Sequence, residues 1–269
     1  YDIVLLLEPD VEMFKSLLKF KVEELSKIHG IKMSSNVYKY YNLMYIVQCT
    51  ENYDMSCYLD GVDYAFSVAK FKNRKSVTKE DIHDVFGTFA LDDLSISQEA
   101  IKEVCYHECG HYVVAKILFG DEYDFKAMSC VPNPNNCLGI TIGQVKVLET
   151  KLNNEILEKY NAYTLAGLIA EEIMEIPINS GAESDLKEVR RITRQWLLKS
   201  GANSNIGNYC YYKNKNISNK KLEVLEEETE AIIAVSTKLC KKVLLENRAF
   251  FEGLANELFV KKVLSKADV

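Results

Sequence analysis

The feature that most constrains this chain is the run His107-Glu108-Cys109-Gly110-His111, in which two histidines lie four residues apart. The run falls inside a helical pattern that extends from Ser97 to Phe119 and is ended by Gly120. Residues i and i+4 lie on the same face of an α-helix, so both imidazole rings can reach one cation. The run therefore predicts a helix that carries two metal ligands.

The residue types in the run indicate a hydrolytic zinc site. Neutral imidazole is a good zinc ligand, and two histidines with one carboxylate leave a coordination position open for water. Zinc lowers the pKa of that water from roughly 15.7 to about 7. We expect Glu108 to take a proton from the attacking water and to give it to the leaving amine. Cys109 is expected to pack as a small apolar residue rather than to bind metal.

A third histidine ligand is disfavoured by the rest of the sequence. The metzincin extension needs glycine at position 114 and histidine at position 117, where this chain has Val114 and Ile117. The two remaining histidines, His29 and His83, lie in the N-terminal part of the chain, which is expected to form a separate domain. A carboxylate is therefore the expected third ligand.

Two sets of carboxylates can supply that ligand. Glu171 and Glu172 lie on a helix predicted over residues 150–176, and Asp185 lies in the first turn of the next predicted helix. Acidic residues in a first turn also commonly interact with the helix dipole, so the position of Asp185 is ambiguous by itself. The residues alone leave this choice open.

The spacing of apolar residues predicts a mainly α-helical chain. Before the histidine run, we expect a strand at residues 1–7 and then helices at 11–30, 35–50, 54–71 and from about 78, where Thr78 and Asp81 form a capping pair. After the run, residues 139–143 give the only clear β pattern, and further helices are expected at 150–176, from about 182, at 220–248 and at 249–262.

Composition excludes some classes of protein. The net charge of −6 disfavours general nucleic-acid binding, which needs a basic face. Eight cysteines without a CxxC pair are typical of reduced cytoplasmic thiols rather than of a disulfide framework. No apolar run reaches the length of about 18 to 20 residues that spans a membrane. Because Tyr1 is not an initiator residue, we expect that the chain begins inside a longer protein.

Three segments, taken in order, resemble the FtsH family of ATP-dependent, membrane-anchored zinc proteases. His107-Glu108-Cys109-Gly110-His111 is similar to the family's HEAGH signature. The segment Leu165–Glu172 resembles its LxGGRxAEE sequence, and Gly181–Leu186 resembles its TGASNDL sequence, in which the aspartate is the third zinc ligand.

The resemblance implies a role for each acidic residue near the histidines. Asp185 is implied as the third zinc ligand beside His107 and His111, and Glu171 and Glu172 are implied as supporting residues close to the site. Catalysis is implied to depend on one Zn²⁺ ion per chain.

The resemblance also implies a substrate-binding strand. Residues 133–139 are similar to the family's loop that precedes the strand lining the substrate cleft. Leu138, Gly139, Ile140 and Thr141 are therefore implied to form an edge on which an extended peptide pairs, so that backbone hydrogen bonds supply affinity.

The N-terminal part resembles the end of an AAA+ ATPase core followed by its helical lid. This resemblance implies two domains: residues 1–85, the end of the AAA+ core and a lid-like helical module, and residues 95–269, a mostly helical zinc peptidase domain with a small β-sheet element. No GxxxxGK[ST] sequence is present, so ATP is expected to bind only through a portion upstream of Tyr1. Two positions depart from the family pattern: Ile3 replaces an expected arginine, and residues 52–58 replace a GFSGADL-like run.

The resemblance further implies unfolded or membrane-derived polypeptides as substrates, a homo-hexamer and no nucleic-acid partner. It implies a cytoplasmic location for this chain. In the parent protein, a membrane segment outside this chain is implied to hold it at the cytoplasmic face of a membrane. The altered lid leaves open an ATP-independent peptidase with a degenerate ATPase part. A non-catalytic protease-like scaffold is the other alternative.

Overall fold

The structure, a computed structural model, describes residues 11–48, 55–85, 97–131, 138–149, 152–177, 181–201, 203–206 and 218–269. The predicted strand at residues 1–7 and most of the loop at 133–139 lie outside these residues. The chain divides into two compact units, one of Tyr1–Ser97 with Val131–Leu138 and one of Gln98–Cys130 with Gly139–Val269. The prediction of a mainly helical chain with a small sheet is confirmed.

In its described residues, the first unit has four helices and a two-stranded parallel sheet. In chain order they are α1 (Val11–His29), β1 (Lys32–Met33), α2 (Ser35–Gln48), α3 (Met55–Phe71), β2 (Ser76–Val77) and α4 (Lys79–Val85). Gly30 follows α1 with a φ of 65°, a value that favours glycine. The predicted cap of α4 is present, because the Thr78 N–H donates to Asp81 Oδ2 at 2.9 Å. The assignment of this unit to an AAA+ lid stays a prediction.

The second unit is built around one central helix. In chain order its elements are α5 (Gln98–Phe119), β3 (Tyr123–Ser129), β4 (Ile140–Val145), α6 (Asn154–Thr164), α7 (Ala166–Ile173), α8 (Glu183–Lys199), α9 (Asn219–Glu246), α10 (Arg248–Lys261) and β5 (Val263–Ser265). Helices α6, α7, α9 and α10 and strands β3 and β4 all pack against α5. The side chains of α5 are buried at twelve positions, so the helix with the histidine run forms the centre of the core.

The sheet of the second unit is larger than the sequence pattern predicted. Its antiparallel order is β4-β3-β5, so β4 lies at one edge. Strand β3 alternates apolar and polar residues from Tyr123 to Ala127, a period of two that is typical of a strand but was not among the predicted elements. Strand β5 has only three residues and pairs with a strand more than 100 residues away, so no local pattern could indicate it.

The helix predicted over residues 150–176 is divided into α6 and α7 at Leu165. Neither proline nor glycine lies at this break. The Tyr163 carbonyl, which lies in the last turn of α6, instead accepts a hydrogen bond from the side chain of His111. A carbonyl group at the end of α6 is therefore paired with a side chain from another helix.

Among the described residues, the longest helices carry too many polar and charged side chains for any of them to span a lipid bilayer.

Candidate metal centre

Helix α5 presents His107 and His111 on one face, as the spacing predicted. Between them, Gly110 faces α7, where an added Cβ would lie 2.6 Å from the Ala166 carbonyl oxygen and 2.7 Å from Ala170 Cβ. Glycine therefore permits a close approach of α7 that any larger residue would prevent. This approach brings the residues of α7 next to the histidines.

Three potential ligand atoms converge on one point. The Nε2 atoms of His107 and His111 are 3.1 Å apart. Asp185 Oδ2, from the first turn of α8, lies 3.2 Å from each of them. The three atoms thus form a nearly equilateral triangle, and the structure brings together the two histidines and the aspartate that the sequence singled out.

The outer nitrogens of both imidazoles are held by protein groups. His107 Nδ1 lies 2.7 Å from Glu171 Oε1, and His111 Nδ1 lies 2.9 Å from the Tyr163 carbonyl oxygen. Because a carbonyl oxygen only accepts, Nδ1 of His111 must carry the proton. An ionised Glu171 likewise accepts from His107. Both rings are thereby oriented with Nε2 directed towards the shared point.

Neighbouring charges strongly shift the pKa values of His107 and Asp185. Burial acts to lower the pKa of His107, but Asp185 and Glu171 outweigh it and raise the pKa to about 10. Burial acts to raise the pKa of Asp185, but His107 and His111 outweigh it and hold that pKa well below its ordinary value. The site thus favours a carboxylate beside positive charge.

The donor set and its geometry fit a zinc ion. Ligands bound about 2.0 to 2.1 Å from a tetrahedral zinc lie roughly 3.3 Å from one another, close to the distances of this triangle. Asp185 Oδ2 is also buried, and it has no hydrogen bond among the described residues. A buried carboxylate oxygen without a hydrogen bond requires compensation, which a cation held by His107, His111 and Asp185 would supply.

Glu108 lies beside the histidines and is only 7% exposed. Its Oε2 atom is 2.7 Å from the hydroxyl of Thr141 in β4. Burial raises the pKa of Glu108, and the neighbouring His107 and His111 oppose this shift. A carboxyl group whose pKa is raised can hold a proton more readily near neutral pH, which suits a group that transfers one.

The two glutamates implied as supporting residues have different surroundings. Glu171 is 6% exposed and contacts His107. The Glu172 carboxylate is 57% exposed and pairs with Lys241 at 2.7 Å. Only Glu171 therefore contacts one of the three converging residues. Cys109 is fully buried and packs against Met128, as expected of a small apolar residue.

The four residues of the implied substrate edge lie at the start of β4. Ile140 and Thr141 belong to the strand, and Leu138 and Gly139 precede it. Within the described residues, β4 pairs only with β3, so the opposite edge of β4 is available for another strand. Its role in binding substrate stays a proposal.

Three features of the site were not predicted from the sequence. They are the contact of the Tyr163 carbonyl with His111, the contact of Thr141 with Glu108, and the position of Gly167 directly against the His107 ring. A backbone carbonyl carries no residue-type signal, so the first could not have been found. Gly167 could have been singled out as a glycine inside a helical pattern, which is typical of close packing.

Comparison with known proteins gives a family match and related sequences. The model of Peptidase family M41 matches residues 94–269. The chain is 26% identical over 220 residues to the ATP-dependent zinc metalloprotease FtsH of Chlorobium luteolum, covering 75% of this chain and 31% of the relative. It is 27% identical over 276 residues to FtsH 3 of Petrotoga mobilis, covering 96% of this chain and 41% of the relative.

A third relative, FtsH 2 of a Thermoanaerobacter species, is 28% identical over 211 residues, covering 75% of this chain and 39% of the relative. The chain thus spans about two fifths or less of the length of these relatives. The resemblance to the FtsH family is confirmed. With more than half of its residues matched by the family model, this chain belongs to Peptidase family M41.

Proposed function

We propose that this chain is the lid-like module and peptidase domain of an FtsH-like zinc metalloendopeptidase that hydrolyses peptide bonds of unfolded or membrane-derived proteins. The observation that carries the proposal is the convergence of His107 Nε2, His111 Nε2 and Asp185 Oδ2 beside the buried carboxyl of Glu108. Two histidines and one carboxylate are one of the ligand sets of catalytic zinc sites, which keep one position open. The family match supports the same function.

The residues of the site have distinct tasks in this reaction. Zinc bound by His107, His111 and Asp185 would supply Lewis acidity that makes water nucleophilic at neutral pH. Glu108 accepts the proton of the attacking water and delivers it to the leaving amine nitrogen. Glu171 orients His107 through Nδ1 and keeps that imidazole in the tautomer that presents Nε2.

The edge of β4 gives a way to bind an unfolded substrate. An extended peptide would add to this edge as a further strand, and main-chain hydrogen bonds would supply affinity with little dependence on sequence. Because Thr141 of β4 contacts Glu108, this edge lies beside the proposed proton carrier. The proposed substrate-binding residues are Leu138, Gly139, Ile140 and Thr141.

The wider assembly is proposed from the relatives. Their names describe ATP-dependent zinc metalloproteases, and we propose that this chain likewise functions in a longer protein whose upstream portion binds ATP. In that protein, residues 1–85 would form the lid-like module and residues 95–269 the peptidase domain. A homo-hexamer at the cytoplasmic face of a membrane is the proposed form, with unfolded polypeptides as its partners.

The proposal is tested by cleavage of an unfolded protein such as casein. We expect the purified chain to cleave casein, to lose activity with a zinc chelator and to regain it with added Zn²⁺. Glu108→Gln should lower kcat by about 10² to 10⁴-fold, because it removes the proton acceptor. Glu99→Gln, the same substitution at an exposed position of α5, is the matched control and should leave kcat unchanged.

Two results would contradict the proposal. Equal cleavage by the wild type and Glu108→Gln would exclude the proposed proton transfer. Stoichiometric zinc binding without cleavage of any unfolded protein would instead favour the protease-like scaffold.

A further inference from the structure

Strand β4 and the residue before it lie directly against the carboxyl group of Glu108. The Thr141 hydroxyl oxygen lies 2.7 Å from Glu108 Oε2 and 3.0 Å from the Glu108 backbone carbonyl oxygen. On the other side, Gly139 lies so close that an added Cβ would be 2.9 Å from Glu108 Oε1. Residues 139 and 141 lie on the same face of the extended chain, so one short segment fixes the position of the carboxyl group.

The two contacts of the Thr141 hydroxyl are chemically different. A hydroxyl group has one proton to donate and can also accept. When Glu108 is a carboxylate, the hydroxyl can donate to Oε2. The shorter contact, 2.7 Å to Oε2, fixes the carboxyl group, and the contact of 3.0 Å with the backbone carbonyl keeps the hydroxyl close to α5.

We propose that Thr141 is a positioning residue for Glu108, and that the hydrogen bond from its hydroxyl to Oε2 holds the carboxyl group in one place. This inference rests on the proposed function, since it concerns the group that carries the proton. It differs from the role of Thr141 in a substrate-pairing edge, because pairing uses the backbone of β4 and the proposed role uses the side chain.

The inference is tested by removing the hydroxyl and keeping the shape of the side chain. Thr141→Val should lower kcat for casein-derived peptide by about 10 to 100-fold, since a displaced reacting group costs about that much. KM should stay within about twofold and the zinc content should stay at one ion per chain, because the backbone and the three ligands are unchanged. Thr141→Ser restores the hydroxyl and should recover most of kcat.

A matched control is Thr237→Val in α9. It removes a hydroxyl that donates to a backbone carbonyl, at 2.8 Å, in the same unit. It should leave kcat unchanged. If Thr141→Val gives no folded protein, Thr141→Ala replaces it, because it also removes the hydroxyl that contacts Glu108. Its kcat should also fall at constant zinc content.

A readout other than activity tests the contact itself. In urea unfolding of the full chain at saturating zinc, Thr141→Val and Glu108→Ala should be non-additive, because each removes the partner of the other. Additive effects would overturn the inference.

So would a kcat of Thr141→Val within twofold of wild type, a Thr141→Ser variant as defective as Thr141→Val, or a change confined to KM or to zinc content. If the wild-type chain itself does not cleave, the proposed function is wrong and this inference fails with it. If the wild type and Thr141→Val cleave equally, only this inference is wrong.

Discussion

Replacement of Glu171 by alanine should weaken zinc binding without removing any zinc ligand. The Glu171 carboxylate is buried and holds His107 Nδ1 at 2.7 Å, so its removal frees the imidazole to rotate and to change tautomer. Loss of such an outer partner typically costs about 10 to 100-fold in metal affinity, which is about 1.4 to 2.7 kcal/mol. Glu171→Gln keeps an oxygen acceptor but loses the charge, and should have a smaller effect.

The assay is thermal unfolding with saturating zinc and with chelator. Zinc that binds only the folded chain raises its free energy of unfolding by an amount that falls as the dissociation constant rises. A decrease of about 1.4 to 2.7 kcal/mol should reduce the zinc-dependent increase in Tm by roughly 3 to 10 °C for a domain of this size. Taking the difference between the two conditions cancels effects of the substitution on the metal-free chain.

Glu172→Ala is the matched control. The adjacent Glu172 carboxylate is exposed and pairs with Lys241, so its loss should change stability little and equally with and without zinc. Glu171 would have no role in zinc binding if Glu171→Ala kept the full zinc-dependent increase in Tm, or if Glu172→Ala lost as much of it.

Three further predictions follow from the geometry of the site. Gly167→Ala should abolish tight zinc binding, because the added methyl group would occupy the space of the His107 ring. Metal analysis after dialysis measures this, and retained zinc would contradict the prediction. Gly110→Ala should lower the free energy of unfolding in urea by about 1 to 3 kcal/mol, since the methyl group would press against the backbone of α7. An unchanged urea midpoint would contradict this and would show that α7 can move away. Zinc binding at pH 8 should release about two protons. One comes from His107, because Asp185 and Glu171, working against burial, raise its pKa to about 10 and zinc must displace that proton. Most of the other comes from the zinc-bound water, whose pKa is about 7. Zinc affinity should therefore rise with pH up to about 10, and calorimetry in two buffers of different ionisation enthalpy would contradict this if it showed no proton release.

The sequence predicted those parts of the site that depend on local spacing. The placement of His107 and His111 on one face of α5 follows from helix geometry alone, and Gly120 correctly ended that helix. The first helices, the Thr78 cap and the long helices α9 and α10 also follow from local patterns. The assignment of Asp185 needed the family resemblance, because nothing local separates a ligand from an acidic residue that interacts with a helix dipole.

The remaining features depend on contacts between distant parts of the chain. The division of α6 from α7 coincides with the hydrogen bond from His111 to the Tyr163 carbonyl, across 52 residues. The difference between Glu171 and Glu172 arises because adjacent residues on a helix face different directions, and only the packing of α7 on α5 decides which one meets His107. The contact of Thr141 with Glu108 likewise requires the position of β4.

The central claim is that His107, His111 and Asp185 bind one zinc ion beside Glu108. Anomalous diffraction from crystals of the zinc-loaded chain, recorded on either side of the zinc absorption edge, tests it most directly. We predict a single strong peak about 2.0 to 2.1 Å from the Nε2 atoms of both histidines and from an Asp185 carboxylate oxygen. The absence of a peak there, or a peak coordinated by Glu171 in place of Asp185, would contradict the account.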